Sequence, residues 1–372
     1  MEPSVLHEVI LVGKPPTFTS KIKAGNTLGL ISWVKHIFEE TPWHHNQILH
    51  VTSVYFNPFN SLNRLETFKK FKDHISHLPN VQLHVVEVAF GDLPFVVSTD
   101  RDVQLRTKDV LWVKENAINI GVAHFPKGWK YGAYVDGDFL FTRQDWALET
   151  IKKLQHYDWV QPFSGYAFMS SDHRPLTVRP SFAYTYHNYY GGNRDDHNKR
   201  SGPHSGYHQP DPDAEHRFLG AVGGAWAFTN KSFAAVNGLL ELCVLGAADW
   251  HMAFGFIGAD CSKHVEYINC HDSYKRVLAA WQKNAYKEVK GNIGYVDCLA
   301  IHAWHGDVSK RGYDDRWEIL KKYDYNPYTD LTRDKTGLLK WAKNKPEFHD
   351  AVRTYFLSRD EDNPVAKFKP IY

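Results

Sequence analysis

Apolar residues along the chain fall into short runs that alternate with longer stretches of helical spacing. Gln47–Tyr55 is a run rich in β-branched residues and is closed by Asn57, Pro58, Phe59 and Asn60, which predicts a strand followed by a turn. In the next segment, 64–77, Leu65, Phe68, Phe71 and Ile75 share one helical face, and Asn63 is placed to cap it. Val81–Phe90 reads as a second strand, 108–122 as a helix with Leu111, Ala117 and Ile118 inward, and Lys130–Val135 as a third strand. A helix over 145–155 and a short strand over 159–162 follow. Ser232–Gly255 returns to helical spacing, Leu299–Trp304 is a last strand, and the charged segment after Asp324 reads as helical.

Strands alternating with helices predict an α/β fold with a mainly parallel sheet flanked by helices. In such sheets ligands bind beyond the carboxyl ends of the strands. Asn57 and Pro58 lie at one such end, and Asp136 lies at another. Residues 183–217 differ in kind. They form a long polar stretch of tyrosines, histidines and glycines, with Arg194, Lys199, Arg200 and Arg217, and almost no aliphatic residue.

Composition narrows the classes. The chain has 372 residues, and 44 Lys+Arg against 42 Asp+Glu leave a net charge of +2, so no global field draws it to nucleic acid or an anionic membrane. Any such contact has to be a local patch. No apolar run reaches the ~18 residues of a membrane helix, and the start Met1-Glu2-Pro3-Ser4 lacks the pattern of a secretory signal. The four cysteines, Cys243, Cys261, Cys270 and Cys298, form no Cys-x-x-Cys pair and read as reduced thiols, so a cytoplasmic location is expected. The 22 His, 12 Trp, 20 Tyr and 22 Phe suit both a packed core and a surface that holds ring-shaped ligands.

The most informative chemistry is Asp136-Gly137-Asp138, set between a strand and Phe139-Leu140-Phe141. Side chains two apart on extended backbone point the same way, and the intervening glycine lets a ligand come close. Two carboxylates so placed repel unless a cation lies between them. Mg²⁺ or Mn²⁺ favours such oxygen ligands and often shares diphosphate oxygens. A solvated turn is the bland alternative.

Tyr131–Phe141 resembles the metal-binding element of GT-A glycosyltransferases. The string Trp112, Lys114, Glu115, Asn119 and Gly121, with Pro126 and Trp129, resembles the helix that precedes that element in the superfamily. Val51–Tyr55, Asn57, Pro58 and Arg64 resemble its first strand and nucleotide loop. Gly223–Phe228, Asn237-Gly238 and Gly246–Ala253 resemble the acceptor-side segment. His302, Trp304, His305 and Gly306, with Arg311, Tyr313 and Arg316, are similar to a C-terminal motif of phage and bacterial members.

The resemblance implies a GT-A, Rossmann-like domain over 1–320, with a nucleotide-sugar half over about 45–165 and an acceptor half over about 166–320. A C-terminal helical extension, 321–372, packs on it. It implies metal-dependent transfer of a sugar from a nucleoside diphosphate sugar, commonly UDP-linked, with Mn²⁺ or Mg²⁺ as cofactor. Asp136, Asp138 and His305 are the expected metal ligands, with His302 the alternative histidine. Asp249 is the expected general base, with His251 orienting it or the acceptor. Asn57, Pro58, Arg64, Glu87, Lys114, Asn119, Asp136, Gly137, Gly224, Lys310, Arg311 and Arg316 are the expected donor contacts. Among the resembling phage proteins are some that glycosylate hydroxymethylated bases in DNA, which makes a 5-hydroxymethylated pyrimidine the first acceptor reading. A cell-surface or cell-wall glycan is the second, and a catalytically inactive binding module is the reading of another class.

Overall fold

The computed structural model describes residues 47–195, 220–259, 268, 270–312 and 315–363. In chain order the strands are β1 (Leu49–Phe56), β2 (Val81–Phe90), β3 (Val103–Thr107), β4 (Tyr131–Val135), β5 (Phe139–Phe141), β6 (Trp159–Gln161), β7 (Gly165–Met169), β8 (Pro175–Pro180), β9 (Ala225–Thr229), β10 (Ile293–Tyr295) and β11 (Leu299–His302). β12 (Leu331–Arg333) and β13 (Leu339–Trp341) form a small hairpin. The helices are α1 (Leu62–Ser76), α2 (Lys114–Ala123), α3 (Trp146–Lys153), α4 (Phe182–Tyr189), α5 (Asn230–Ala235), α6 (Ala248–Ile257), α7 (Asp272–Val289), α8 (Asp315–Lys322), α9 (Pro327–Asp330) and α10 (Pro346–Ser358).

The central sheet has seven strands in the order β10-β6-β9-β4-β1-β2-β3. β1 runs parallel to β2 and β4, β2 to β3, and β10 to β6, while β9 lies antiparallel between β4 and β6. The fold is therefore mixed α/β with a mostly parallel central sheet flanked by helices. Buried strands in such a sheet carry continuous apolar runs, and β1 shows this, with Leu49 and Val51 inaccessible to solvent. One apolar cluster packs Phe68, Phe71 and Ile75 of α1 against one face, as the helical spacing predicts. A second cluster packs α2, α6 and α7 on the other face.

A second sheet, β5-β11-β7-β8, stands beside the carboxyl end of β4. Its formation follows directly from the Asp136–Asp138 turn, because β5 begins one residue later.

Several expectations are corrected. Ser61, not Asn63, caps α1: its side chain accepts from the Arg64 amide. The helix expected over 108–122 begins only at Lys114, because Trp112 is held in an extended link through its amide to the Val244 carbonyl. The helical spacing over 232–255 resolves into α5 and α6, with an irregular buried segment between them. The extension after residue 321 is not wholly helical, since β12 and β13 interrupt it. Part of the aromatic stretch 183–217 is α4, and residues 196–219, including Lys199, Arg200 and Arg217, lie outside the described residues. So do Cys261 and Tyr313. The remaining cysteines, Cys243, Cys270 and Cys298, are buried free thiols. Among the described residues no helix is long and apolar enough to cross a membrane.

Candidate active site

A cavity of about 220 Å³ opens at the carboxyl ends of β1 and β4. Asp136, Gly137 and Asp138 line it from the turn after β4, and Tyr55, Phe56 and Arg64 line it from β1 and α1. Gly223, Gly224 and Asp249 line it as well, with His302, His305, Arg311 and Arg316 from the C-terminal part. The sheet brings these distant segments together, because parallel strands end on one edge.

Two glycines have a steric reason to be there. A Cβ at Gly137 would sit 2.3 Å from the Phe68 ring, and one at Gly223 would sit 2.5 Å from Asp249 Oδ2. Gly224, at φ +91°, gives its carbonyl to the Asp136 amide at 2.7 Å, which fixes the turn.

The two aspartates have different neighbours. Asp136 forms an ion pair with Lys114 through both oxygens, at 3.0 and 3.1 Å, at the N-terminus of α2. Burial pushes its carboxyl up to about 6 against the pull of Lys114. Asp138 faces the histidines: its Oδ2 lies 3.0 Å from His305 Nε2 and 4.0 Å from His302 Nε2. One ligand atom from each of Asp138, His302 and His305 lies within 4.8 Å of the others. Burial pushes the His302 ring down to about 3 and lowers His305, which favours the neutral form that a metal ligand needs. Burial alone would raise Asp138, but His302, His305 and Arg311 hold it below the usual carboxylate range. Asp138 Oδ1 and His302 Nδ1 are buried with no hydrogen-bond partner. Buried polar atoms without partners are costly, and a carboxylate with two neutral imidazoles is a donor set suited to a divalent ion. The residues present therefore fit the expected metal, with His302 joining His305, while Asp136 is engaged by Lys114.

Cationic groups surround this cluster. Arg64 is held by Glu361 in a two-pronged pair at 2.6 and 2.5 Å. Arg311 Nη2 lies 3.1 Å from His305 Nε2. Arg316 reaches the Gly246 turn and lies over the Trp317 ring. Arg359, unremarked in the sequence, also lines the cleft, with its guanidinium over Trp112.

Asp249 lies in the first turn of α6, following Ala247 in the left-handed region at φ +83°. Its side chain lines the cleft. Glu115, which the sequence shows only as part of the α2 string, lines the cleft as well and accepts the Trp112 indole N–H at 2.9 Å. Burial pushes its carboxyl up to about 7.

Other expected contacts are elsewhere. His251 is fully buried, with Nε2 3.1 Å from the Tyr274 hydroxyl and Trp317 beside it, and it does not line the cleft. Glu87 accepts the amides of Val96, Val97 and Ser98 and so anchors the loop after β2. Asn57 is spent on Tyr55 and Ser61, closing the turn that Pro58 occupies. Asn119 binds the Leu239 backbone and Glu241. Lys310 pairs with Asp360 at 2.6 Å, outside the cleft lining. These side chains satisfy buried or turn backbone, a use that residue type alone does not distinguish from ligand binding.

No family model matches the chain, and no curated protein does. Among solved structures, a mannosyltransferase from Pyrobaculum calidifontis in complex with GDP-mannose and Mn²⁺ is 14% identical, over 79% of this chain and 68% of that one, with a TM-score of 0.36. The catalytic domain of Drosophila β1,4-galactosyltransferase 7 is 12% identical, over 56% of this chain, with a TM-score of 0.27; the match spans 59% of that domain's length. A putative nucleotide-diphospho-sugar transferase from Desulfovibrio desulfuricans is 8% identical, over 85% of this chain and 99% of that one, with a TM-score of 0.29.

Proposed function

We propose that the chain is a GT-A type glycosyltransferase that moves a sugar from a nucleoside diphosphate sugar to a hydroxyl acceptor with the help of a divalent metal. The observation that carries this is the cluster of Asp138, His302 and His305 at the carboxyl edge of a mostly parallel sheet, with Arg64, Arg311, Arg316 and Asp249 lining the same cavity. Phosphate groups are matched by arginine forks, and a carboxylate in the cleft suits proton removal from the acceptor.

Asp138, His302 and His305 hold the metal, Mn²⁺ or Mg²⁺. When bound, it supplies Lewis-acid stabilisation of the departing diphosphate. Arg311 and Arg316 neutralise the same charge. Lys114 holds Asp136 through both carboxylate oxygens and so fixes the turn that carries Asp138. Asp249 takes the acceptor hydroxyl proton on a carboxylate oxygen as the new C–O bond forms and the bond to the diphosphate breaks. This assignment favours inversion at the sugar carbon. On this reading the donor contacts fall mainly within about 45–165 and the acceptor contacts within about 166–320, and Arg359 of the C-terminal part also borders the cleft.

The finer reading is a UDP-linked donor and a 5-hydroxymethylated pyrimidine base of DNA as acceptor. It rests on the resemblance of the His302–Arg316 motif to phage enzymes. The test is a panel of UDP- and GDP-sugars with Mn²⁺, offered to unmodified and hydroxymethylated DNA and read by mass. A mass gain confined to hydroxymethylated DNA supports it. Transfer to glycans alone removes the DNA acceptor, and no Mn²⁺-dependent consumption of any donor removes the enzyme reading altogether.

A further inference from the structure

The second sheet turns one face into the cleft. In its register His302 of β11 lies beside Phe168 of β7, and Tyr166 of β7 lies beside Arg179 of β8. Side chains that face one another across neighbouring strands share a side of the sheet. A continuous row therefore runs outward from the metal-ligand cluster: the His302 ring, then the Phe168 ring with centroids 4.7 Å apart, then the Arg179 guanidinium 5.1 Å from the Phe168 centroid. All three line the cavity.

Arg179 differs from the other arginines of the site. Arg64 is clamped by Glu361, and Arg311 contacts His305. Arg179 has no carboxylate partner among the described residues, and its guanidinium lies over the aromatic face of Phe168. Stacking on a ring fixes the plane of a guanidinium and leaves its edge N–H groups for a ligand. The row belongs to the segment 166–320 proposed as the acceptor side, whereas Arg64 and Phe56 belong to the proposed donor side.

We infer that Phe168 and Arg179 form an anion-binding element on the acceptor side, so that the acceptor carries a phosphate close to the hydroxyl that receives the sugar. The inference rests on the proposed donor chemistry and deepens it by naming the class of acceptor. A phosphate attached to a nucleotide and one attached to a sugar present the same oxygens to Arg179, and the probes separate them.

The test is calorimetric titration of the full chain saturated with UDP and Mn²⁺. One pair of probes is 5-hydroxymethyl-2′-deoxycytidine and its 5′-monophosphate, and the other is glucose and glucose 6-phosphate. The phosphorylated member of at least one pair is expected to bind about tenfold more tightly than its partner, as charge-assisted hydrogen bonds allow. Arg179→Ala is expected to abolish that preference and Arg179→Lys to keep part of it, with UDP affinity unchanged in both. The pair that shows the preference identifies the source of the phosphate. No preference in either pair, a preference that survives in Arg179→Ala, or a loss of UDP affinity in that variant overturns the inference. A wild-type chain that binds neither UDP nor GDP with Mn²⁺ overturns instead the donor reading beneath it.

Discussion

Asp138 Oδ2 lies 3.0 Å from His305 Nε2, and Arg311 Nη2 reaches the same histidine nitrogen at 3.1 Å. Three groups thus meet at His305, and in the same cluster Asp138 Oδ1 and His302 Nδ1 are buried without partners. Asp138→Asn keeps the shape of the side chain but removes the charge that a divalent ion needs. Mn²⁺-dependent turnover is expected to fall by at least two orders of magnitude, on the scale of a lost electrostatic contact to the transition state, with the circular dichroism spectrum unchanged. Full activity in this variant would remove the metal assignment.

His302 provides the discriminating comparison. The sequence favours His305, whereas the structure places both rings within reach of Asp138. His302→Ala and His305→Ala are each expected to weaken Mn²⁺ binding by ten- to a hundredfold, measured by titration of the metal alone. A variant with wild-type Mn²⁺ affinity identifies the histidine that is not a ligand.

Asp249 lines the cleft while its chain neighbour His251 is enclosed by Tyr274 and Trp317. Asp249→Asn is therefore expected to reduce transfer by about 10²-fold or more, with donor affinity within a factor of two or three of wild type. Equal losses in transfer and donor binding would make Asp249 a donor contact rather than the base.

Much of this arrangement was legible in the chain. Asp136, Gly137 and Asp138 were identifiable because a polar triplet between two apolar runs reads as a strand end, and strand ends are where parallel sheets bind ligands. Arg64, Lys114, Asp249, Arg311 and Arg316 line the cleft. Glu87, Asn57 and Asn119 do not, because each satisfies backbone or side-chain groups that only the tertiary fold reveals. Phe168 and Arg179 were not legible either: β7 and β8 are short, and β8, with its flanking prolines and exposed Leu176 and Val178, does not read as a strand. Glu361 lies far from Arg64 in sequence, and nothing local marks it as a partner.

Glu115 gives a pH-dependent test of the cleft's electrostatics. Burial raises its carboxyl to about 7, above the ordinary value of 4.5. The folded chain therefore binds the proton more tightly than the unfolded chain, and folding loses stability as pH rises from 4.5 through 7. The cost is fully present above pH 7 and absent below 4.5. Glu115→Gln preserves an oxygen to accept the Trp112 indole N–H and removes the buried charge. It is expected to stabilise the protein by on the order of 2 kcal/mol at pH 8 and to change it little at pH 4.5, measured by denaturant unfolding at both values. The same change at both values would show that charge is not what Glu115 contributes to stability. A shift in the opposite sense, with destabilisation at pH 8, would mean that Lys114 outweighs burial and that the carboxylate is held as a charged partner.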